Sequence, residues 1–223
     1  MNKYLVQITL KSDTTFGRGD GVAGYIDAEV EHDELGLPFL HGRTLKGLLQ
    51  EECANILYSL SKDNLFTKLS EFETAADNLF GKGGSDLNTE AKMFIGDAVL
   101  QEDLRNAVKY AIENGTPKIT PDEVLQSLTT IRRQTAMSEK GSPQPESLRS
   151  MRVILREIIF EAECRFDEDF EIDSNEIILL GLICASLQRI GLARNRGRGK
   201  VSVKLFGTND LTNHCLRKFE EIQ

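Results

Sequence analysis

The sequence has no tryptophan, few histidines and few cysteines: three histidines and four cysteines in 223 residues. The cysteines are too far apart for a CxxC metal motif, and disulfide frameworks belong to small secreted chains that are richer in cysteine. We therefore expect Cys53, Cys164, Cys184 and Cys215 to be reduced thiols in the core of a cytoplasmic protein.

Long hydrophobic runs are also missing. No stretch approaches the ~20 apolar residues of a membrane-spanning helix. The first residues, "MNKYLVQITL", alternate as in a β-strand and lack the apolar region of a signal peptide. We expect no membrane partner. With 40% hydrophobic and 28% charged residues, the chain has the composition of a globular protein with a sizeable core.

Positive charge is scarce overall but concentrated locally. The net charge of −8 argues against indiscriminate binding to nucleic acid. Residues 157–176 contain nine acids and one arginine, whereas residues 189–204 contain six basic residues and no acid. Residues 127–156 add six basic residues against two acidic ones. This polarity suits a protein with one face that binds a polyanion.

The order of the predicted elements indicates the fold class. They are a strand at 4–10, a helix from Thr44 to Leu60, a strand at 91–100, a short helix at 103–114, an insertion at about 116–150, a strand, a helix from Asp173 and a strand at 200–206. Thr44 could cap the first helix, although Arg43 is equally near its boundary. Without the insertion, the order predicts one α+β domain over residues 1–223 with a ferredoxin-like, RRM-like βαββαβ core. Because no strand is rich in aromatics, bound RNA would have to be held by loops through its backbone.

The insertion has the composition of a hairpin with a flexible tip. The stretch "AMSEKGSPQPESLRS" is rich in Gly, Ser and Pro, while its flanks "TTIRRQT" and "SMRVILREIIFEAECRF" have the composition of strands. We predict an inserted β-hairpin with a mobile tip. Its candidate RNA-binding residues are Arg132, Arg133 and Arg149.

A basic, glycine-rich stretch, "GLARNRGRGKVSV", precedes the last strand. We expect Gly191 to end the helix with a positive φ. The other glycines would let the backbone approach a ligand closely, and the guanidinium groups would hold phosphates. A merely solvated basic hairpin fits the spacing equally well. The candidate RNA-binding residues are Arg194, Arg196, Gly197, Arg198, Gly199 and Lys200.

The start of the first helix, "LPFLHGRTLKGLLQEE", is a second candidate phosphate site. Gly42 and the first turn would offer unpaired backbone N–H groups. Arg43 and Lys46 flank this end, where cations are unfavourable unless an anion sits between them. The alternative is that both cations are simply solvated.

These two stretches resemble the RAMP superfamily of CRISPR-associated proteins. "LPFLHGRTLKGLL" is similar to the family's glycine- and lysine-containing helix start, and "GLARNRGRGKVSV" to its C-terminal glycine-rich loop. "LFGKGG" and "SLRSMRV" also resemble segments of type III backbone subunits, so the likeness covers essentially the whole chain. His41 stands where the family usually has proline, and Arg43 replaces a common serine, while Lys46 and its flanking glycines are kept.

The resemblance implies a subunit of a type III effector complex that assembles with other subunits, including copies or paralogues of itself, along a guide RNA. The inserted hairpin would be the thumb that crosses and kinks the guide–target duplex. Target-cleaving members use an aspartate after the first strand with a divalent metal. "GVAGYIDAEV" places Asp27 at that position, as catalytic residue and ligand of Mg²⁺ or Mn²⁺.

Three alternatives remain open from the sequence. Asp27 could be an ordinary turn residue, as Asp20 and Asp33 are expected to be. The chain could be a catalytically silent backbone subunit that only binds guide RNA. It could also be a guide-processing endoribonuclease that uses a histidine, although the helix-start lysine and the thumb-like insertion argue against this. The candidate histidines are His32, His41 and His214.

Overall fold

The computed structural model describes residues 3–22, 24–62, 66–82, 90–139, 141–144, 146–167, 171 and 173–222, which form an α+β fold with antiparallel sheets. The strands are Tyr4–Leu10 (β1), Met93–Ile95 (β2), Val99–Leu100 (β3), Thr129–Gln134 (β4), Arg149–Ile154 (β5), Ile159–Phe166 (β6) and Val201–Phe206 (β7). The helices are Gly42–Ser61 (α1), Leu69–Phe80 (α2), Glu102–Asn114 (α3), Pro121–Leu128 (α4), Asn175–Ser186 (α5) and Thr212–Ile222 (α6). Within the described part of the chain, every helix is too short or too polar to span a membrane.

The main sheet has the strand order β2-β6-β1-β7, and β3 pairs with β6 as well. Val6 of β1 lies opposite Ala162 of β6 and Leu205 of β7, and all three side chains are fully buried. Helices α1, α2, α5 and α6 pack on the sheet or on one another over this core. The residues of α5 from 177 to 184 are all buried, because this helix contacts β7 and the other three helices.

The other face of the sheet is polar and carries charges of both signs. Gln7 of β1 donates from Nε2 to Oε1 of Glu161 on β6 at 3.1 Å, and Glu163 follows two residues later on the same face. Glu163 is paired with Lys3 at 3.4 Å and with Arg165 at 3.8 Å. Phe94 of β2, which lies opposite Arg165, places an exposed aromatic ring on this face.

Several predicted boundaries were wrong. Helix α1 begins at Gly42 with His41 as its cap, not at Thr44. The predicted strand at 91–100 is divided into β2 and β3, with Gly96 between them donating its N–H to the Glu163 carbonyl at 2.9 Å. Helix α5 begins at Asn175, capped by Ser174.

Three helices were not predicted. Helix α2 buries Phe72, Ala75 and Leu79, which have the spacing of an amphipathic helix. Helix α6 follows β7 and packs on α5. Helix α4 lies inside the predicted insertion. It begins with a capping box in which Thr120 and Glu123 each satisfy a backbone N–H of the other. The short helix α3 is confirmed, with Gly115 directly after it.

The hairpin strands β4 and β5 pair antiparallel, from Thr129 opposite Ile154 to Gln134 opposite Arg149. The second predicted flank is two strands, because the chain turns after β5 at Glu157, which has φ +70°. The residues described at the tip are bonded mainly to one another. Thr135 and Ser147 hydroxyls lie 2.6 Å apart, and those of Ser138 and Ser142 2.8 Å apart. Residues 140 and 145 lie outside the described residues.

The connection from residue 11 to residue 41, called the arch below, runs beside β5, and its described residues form isolated bridges rather than helices or strands. Thr14 exchanges backbone hydrogen bonds with Ile154, and Ala28 forms a bridge with Met151. A buried ion pair fixes the arch to β5: Nε of Arg152 donates to Oε1 of Glu29 at 2.7 Å, with side chains 12% and 5% exposed.

Glu29→Ala should destabilise the fold strongly, because it leaves the Arg152 guanidinium buried without its carboxylate. We expect the free energy of unfolding to fall by about 3–5 kcal/mol, measured by urea denaturation near neutral pH. The matched control is Asp20→Ala, which removes the exposed partner of Arg18 at 2.6 Å. Its effect should stay below about 1 kcal/mol. Equal losses in both variants would contradict a special role for the buried pair.

Candidate nucleic-acid interface

The hairpin contributes one arginine to each of two clefts. Adjacent residues of a strand point to opposite sides, so Arg132 and Arg133 of β4 diverge. Arg133 lines an open cleft of about 550 Å³ that contains Asp27, here called the Asp27 cleft. Arg132 lines an open cleft of about 690 Å³ beside the glycine-rich stretch, here called the loop cleft. The predicted catalytic residue and the predicted basic loop therefore lie against the same hairpin.

The Asp27 cleft is built where the arch meets the start of β5. The backbone N–H of Asp27 donates to the Ser150 carbonyl at 2.9 Å, and the Arg152 N–H donates to the Ala28 carbonyl at 3.0 Å. These bonds hold Asp27 at the surface, where its side chain is exposed. The lining residues are Gly21, Val22, Gly24, Tyr25, Ile26, Asp27, Arg133, Leu148 and Ser150.

The Asp27 carboxylate is held by one of its oxygens. Its Oδ2 accepts the Ser150 backbone N–H at 2.6 Å and lies 3.3 Å from the Ser150 hydroxyl. The Ser150 N–H, then the hydroxyl and the nearby charge of Arg149, hold the pKa of Asp27 below its usual range. No hydrogen bond reaches Oδ1 from the described residues. Asp27 thus offers a charged oxygen that can bind a cation or accept a hydroxyl proton.

Metal-binding groups are sparse around this carboxylate. Across the residues that the structure describes, no three His, Cys, Asp or Glu side chains come together as a metal site. A single ionised carboxylate is nevertheless a suitable hard ligand for Mg²⁺ or Mn²⁺.

The loop cleft has a positive balance of charge. Four of its lining side chains are basic and two, Asp13 and Glu157, are acidic. Asp13 accepts two hydrogen bonds from Arg132, at 2.7 and 3.0 Å. The cleft therefore suits a phosphate, which would compete with Asp13 for Arg132. The lining residues are Lys11, Ser12, Asp13, Arg132, Leu155, Arg156, Glu157, Gly197 and Arg198.

The glycine-rich loop, residues 191–200, is fastened to the first residues of the arch. The Leu192 N–H donates to the Thr15 carbonyl at 2.9 Å, and the Lys200 N–H donates to the Ser12 hydroxyl at 2.9 Å. Gly191 has a positive φ of +80° but lies beyond the end of α5, so the prediction that it ends this helix was wrong.

Glycine is required for different reasons at positions 199 and 197 of this loop. A Cβ on Gly199, which has φ +69°, would lie 1.9 Å from the Ile190 carbonyl oxygen, so the chain's own packing requires glycine there. Gly197 has φ +80° and open space around the position of a Cβ. Of these two glycines, only Gly197 has room beside it for a ligand to approach the backbone closely.

The basic side chains of the loop are partly engaged within the protein. Arg194 forms an ion pair with Glu51 at 3.0 Å, and Arg198 donates to the Met151 sulfur. Arg196 and Lys200 are exposed, and neither side chain has a partner among the described residues. Arg189, just before the loop, donates hydrogen bonds to the carbonyls of Arg194 and Arg198. These bonds stabilise the conformation of the loop.

The helix start differs from the prediction. The Gly42 N–H is not unpaired, because it donates to Oδ1 of Asp97 at 2.7 Å. Lys46 is half-buried and donates from Nζ to the Met93 carbonyl at 2.9 Å, and this burial lowers the pKa of its ammonium. An ammonium has further donors to offer a phosphate. Arg43 is exposed and has no side-chain partner within the described residues.

Sequence reasoning missed three residues of the two clefts: Lys11, Arg156 and Ser150. Lys11 follows the end of β1, and Arg156 precedes the start of β6. Because β1 and β6 are antiparallel neighbours in the sheet, the two residues line the same cleft. The order of the strands could have indicated this. No local signal connects Ser150 with Asp27, which lies 123 residues away.

The histidines lie outside the two clefts. His214 of α6 lies 2.7 Å from Asp173, and His41 lies 3.7 Å from Glu31 and 3.8 Å from Asp97. His32 lines a neighbouring cleft of about 900 Å³, which shares Tyr25 and Arg133 with the Asp27 cleft. A histidine-dependent reaction would therefore have to use that neighbouring cleft.

Comparisons with known proteins agree on one family. The sequence profile of the RAMP superfamily matches residues 7–202. The fold is similar to a chain of the type III-B Cmr-beta complex bound to cognate target RNA (TM-score 0.58, 14% identity, 92% of this chain and 97% of that chain). It is also similar to a chain of the apo type III-B Cmr-beta complex (TM-score 0.57, 16% identity, coverage 92% and 97%). A chain of a type IV-B CRISPR complex is similar as well (TM-score 0.57, 13% identity, coverage 92% and 91%). No curated protein sequence matches.

Alanine at the two glycines should separate packing from surface roles. Gly199→Ala must displace the Ile190 carbonyl and should lower thermal stability markedly. Gly197→Ala introduces only an unfavourable positive φ, which costs about 1–2 kcal/mol. Differential scanning calorimetry of both variants measures the difference. A larger loss for Gly197→Ala would contradict the packing role of Gly199.

Proposed function

The chain belongs to the RAMP superfamily, and we propose that it is a backbone subunit of a type III CRISPR effector that binds guide RNA and cleaves complementary target RNA with Asp27. The observation that carries this proposal is the hairpin between two clefts. One cleft is net basic, and the other combines an ionised carboxylate with Arg133. Such an arrangement provides separate places for a bound RNA backbone and for a phosphate that is to be cut.

The finer description of the fold belongs to this proposal. The sheet order β2-β6-β1-β7, with α1 between β1 and β2 and α5 between β6 and β7, supports a ferredoxin-like core in a single domain. The exposed basic hairpin of β4 and β5 supports a thumb. Its partners would be guide RNA, target RNA and other effector subunits, including copies or paralogues of this chain.

Guide RNA would lie along the loop cleft. Arg196 and Lys200 are free to bind phosphates, while Arg132 and Arg194 would exchange Asp13 and Glu51 for them. Lys46 and Arg43 at the start of α1 would add further backbone contacts. Phosphate contacts carry no base information, so binding would be independent of guide sequence.

Cleavage would use the RNA's own 2′-OH. The 2′-OH loses its proton to water, its oxygen attacks the adjacent phosphorus, and the bond from phosphorus to the 5′-oxygen breaks. The 5′-oxygen takes up a proton from water, so the products carry a 2′,3′-cyclic phosphate and a 5′-OH. A Mg²⁺ or Mn²⁺ ion bound at Asp27 would neutralise charge on the phosphate. The lowered pKa makes Asp27 a weak base, which favours a role as an ionised ligand over proton abstraction near neutral pH. Arg133, in the same cleft, would hold the phosphate.

Replacing Arg196 and Lys200 together by alanine should weaken guide binding for unrelated guides alike. The slope of log affinity against log salt should become shallower, since about two phosphate contacts are lost. Fluorescence anisotropy over a salt series measures both quantities. Lys204→Ala is the control, because its ammonium is paired with Asp210 at 2.7 Å. An unchanged salt slope would leave the loop as a solvated basic hairpin.

Asp27→Asn should abolish cutting while preserving assembly, because the amide oxygen can still accept the Ser150 N–H but carries no charge. In the guide-loaded complex with Mg²⁺ or Mn²⁺, we expect the cleavage rate to fall about 10²-fold or more. Chelation, or a 2′-deoxy substitution at the cut position, should give the same loss. The control is Asp20→Ala.

Cuts in the target should be regularly spaced, one for each subunit. Cleavage that survives both Asp27→Asn and chelation would contradict the metal–aspartate mechanism. An assembled complex of the unaltered protein that never cuts would instead favour the silent backbone subunit.

A further inference from the structure

We propose that the exposed ring of Tyr25 is a stacking site for an unpaired RNA base next to the phosphate that Arg133 would hold in the Asp27 cleft. This inference rests on the proposed function, because it takes RNA to be the ligand of the Asp27 cleft. It adds a base-binding site to a surface for which only backbone contacts have been considered so far.

Tyr25 carries an aromatic ring that the core does not bury. Its side chain is 56% exposed, and it is the aromatic residue among those that line the Asp27 cleft. The rings of Phe16 and Phe160, by contrast, pack against each other in the core at 5.1 Å. Exposed aromatic rings are the platforms on which proteins stack single-stranded bases.

The ring lies on a ridge between two open spaces. Val22, Tyr25 and Arg133 line both the Asp27 cleft and a neighbouring cleft of about 900 Å³, which also contains Glu29 and Arg152. A nucleotide whose phosphate is held at Arg133 would find an apolar ring and an exposed valine beside it. This combination of a cation, an aromatic face and space on both sides suits an unstacked nucleotide.

Backbone hydrogen bonds between described residues hold the position of Tyr25. Val22 and Ile26 exchange two backbone hydrogen bonds, at 2.7 and 2.9 Å, and the Tyr25 N–H donates to the Val22 carbonyl at 2.9 Å. The Ser150 hydroxyl donates to the Tyr25 carbonyl at 3.0 Å, while the Ser150 N–H donates to Asp27. One residue of β5 therefore fixes both the ring's backbone and the carboxylate.

This arrangement lowers the entropic cost of stacking. With the backbone fixed, only the two side-chain torsions of tyrosine remain to be ordered when a base binds. Every base has a π-face, so the ring would accept any of them. This tolerance suits a subunit whose target is selected by base pairing with the guide RNA. Loss of one stacked base weakens binding by roughly 5- to 150-fold in single-strand binding proteins.

The test uses the guide-loaded complex in an Asp27→Asn background, so that the target stays intact. Targets carry the fluorescent base 2-aminopurine at one position at a time around each expected cut. At the position that stacks on Tyr25, we expect quenched fluorescence, a several-fold increase on Tyr25→Ala, and retained quenching in Tyr25→Phe. The matched control is Tyr110→Ala, another exposed tyrosine, which lies on α3. Fluorescence that is the same in Tyr25→Ala and its parent at every position would overturn the proposal.

A second measurement uses the intact Asp27. Tyr25→Ala should lower the single-turnover cleavage rate about 10-fold, and Tyr25→Phe should restore it. If the parent complex cuts but the Tyr25 variants change neither fluorescence nor rate, the stacking site fails alone. If the parent never cuts but Tyr25→Ala relieves quenching, the cleavage function fails and the stacking site stands. A complex that holds no target RNA would overturn both.

Discussion

The buried ion pair between Arg152 and Glu29 is the interaction on which the candidate site depends. It joins the arch to β5, and Arg152 also donates to the Thr129 hydroxyl of β4 at 3.3 Å. With this pair in place, Ser150 meets Asp27 and Tyr25, and the hairpin and the arch form one surface. Apolar side chains could fill the same volume with similar stability. Apolar side chains would not, however, fix the position of β5 along the arch. The ion pair does so because its hydrogen bonds are directional.

Some basic groups of the free protein are already paired with its own carboxylates. Arg132 is paired with Asp13, Arg194 with Glu51, and the start of α1 receives the Asp97 carboxylate. An RNA phosphate that displaces a carboxylate gains less than one that meets a free cation, because an existing attraction is lost. The paired side chains are, however, already oriented. Such sites favour a correctly placed backbone over casual contact with any polyanion.

The sequence predicts the class of the fold because its strands and long helices follow simple periodicities. The alternation in β1 and the helical spacing in α1 indicate those elements directly, and the composition around residues 135–148 indicates the hairpin. The start of α1 was misplaced because the N–H of its first residue, Gly42, is bonded to the side chain of Asp97, 55 residues away. The requirement for glycine at position 199 comes from the carbonyl of Ile190, and the partner of Asp27 is the N–H of Ser150. Both are backbone atoms outside the local sequence pattern. Periodicity carries no information about such contacts.

The mixed charge of the sheet's open face has a consequence for how a polyanion would meet this protein. Glu161 and Glu163 lie on the surface that related topologies use for stacking bases, and Glu163 is paired there with Lys3 and Arg165. Because these opposite charges offset each other, this face attracts RNA less than the loop cleft, which has an excess of basic side chains. The uneven field would select the orientation of the encounter before any contact forms. A chain with a net charge of −8 could in this way bind a polyanion with directionality. A uniformly basic surface would capture RNA faster but in many unproductive orientations.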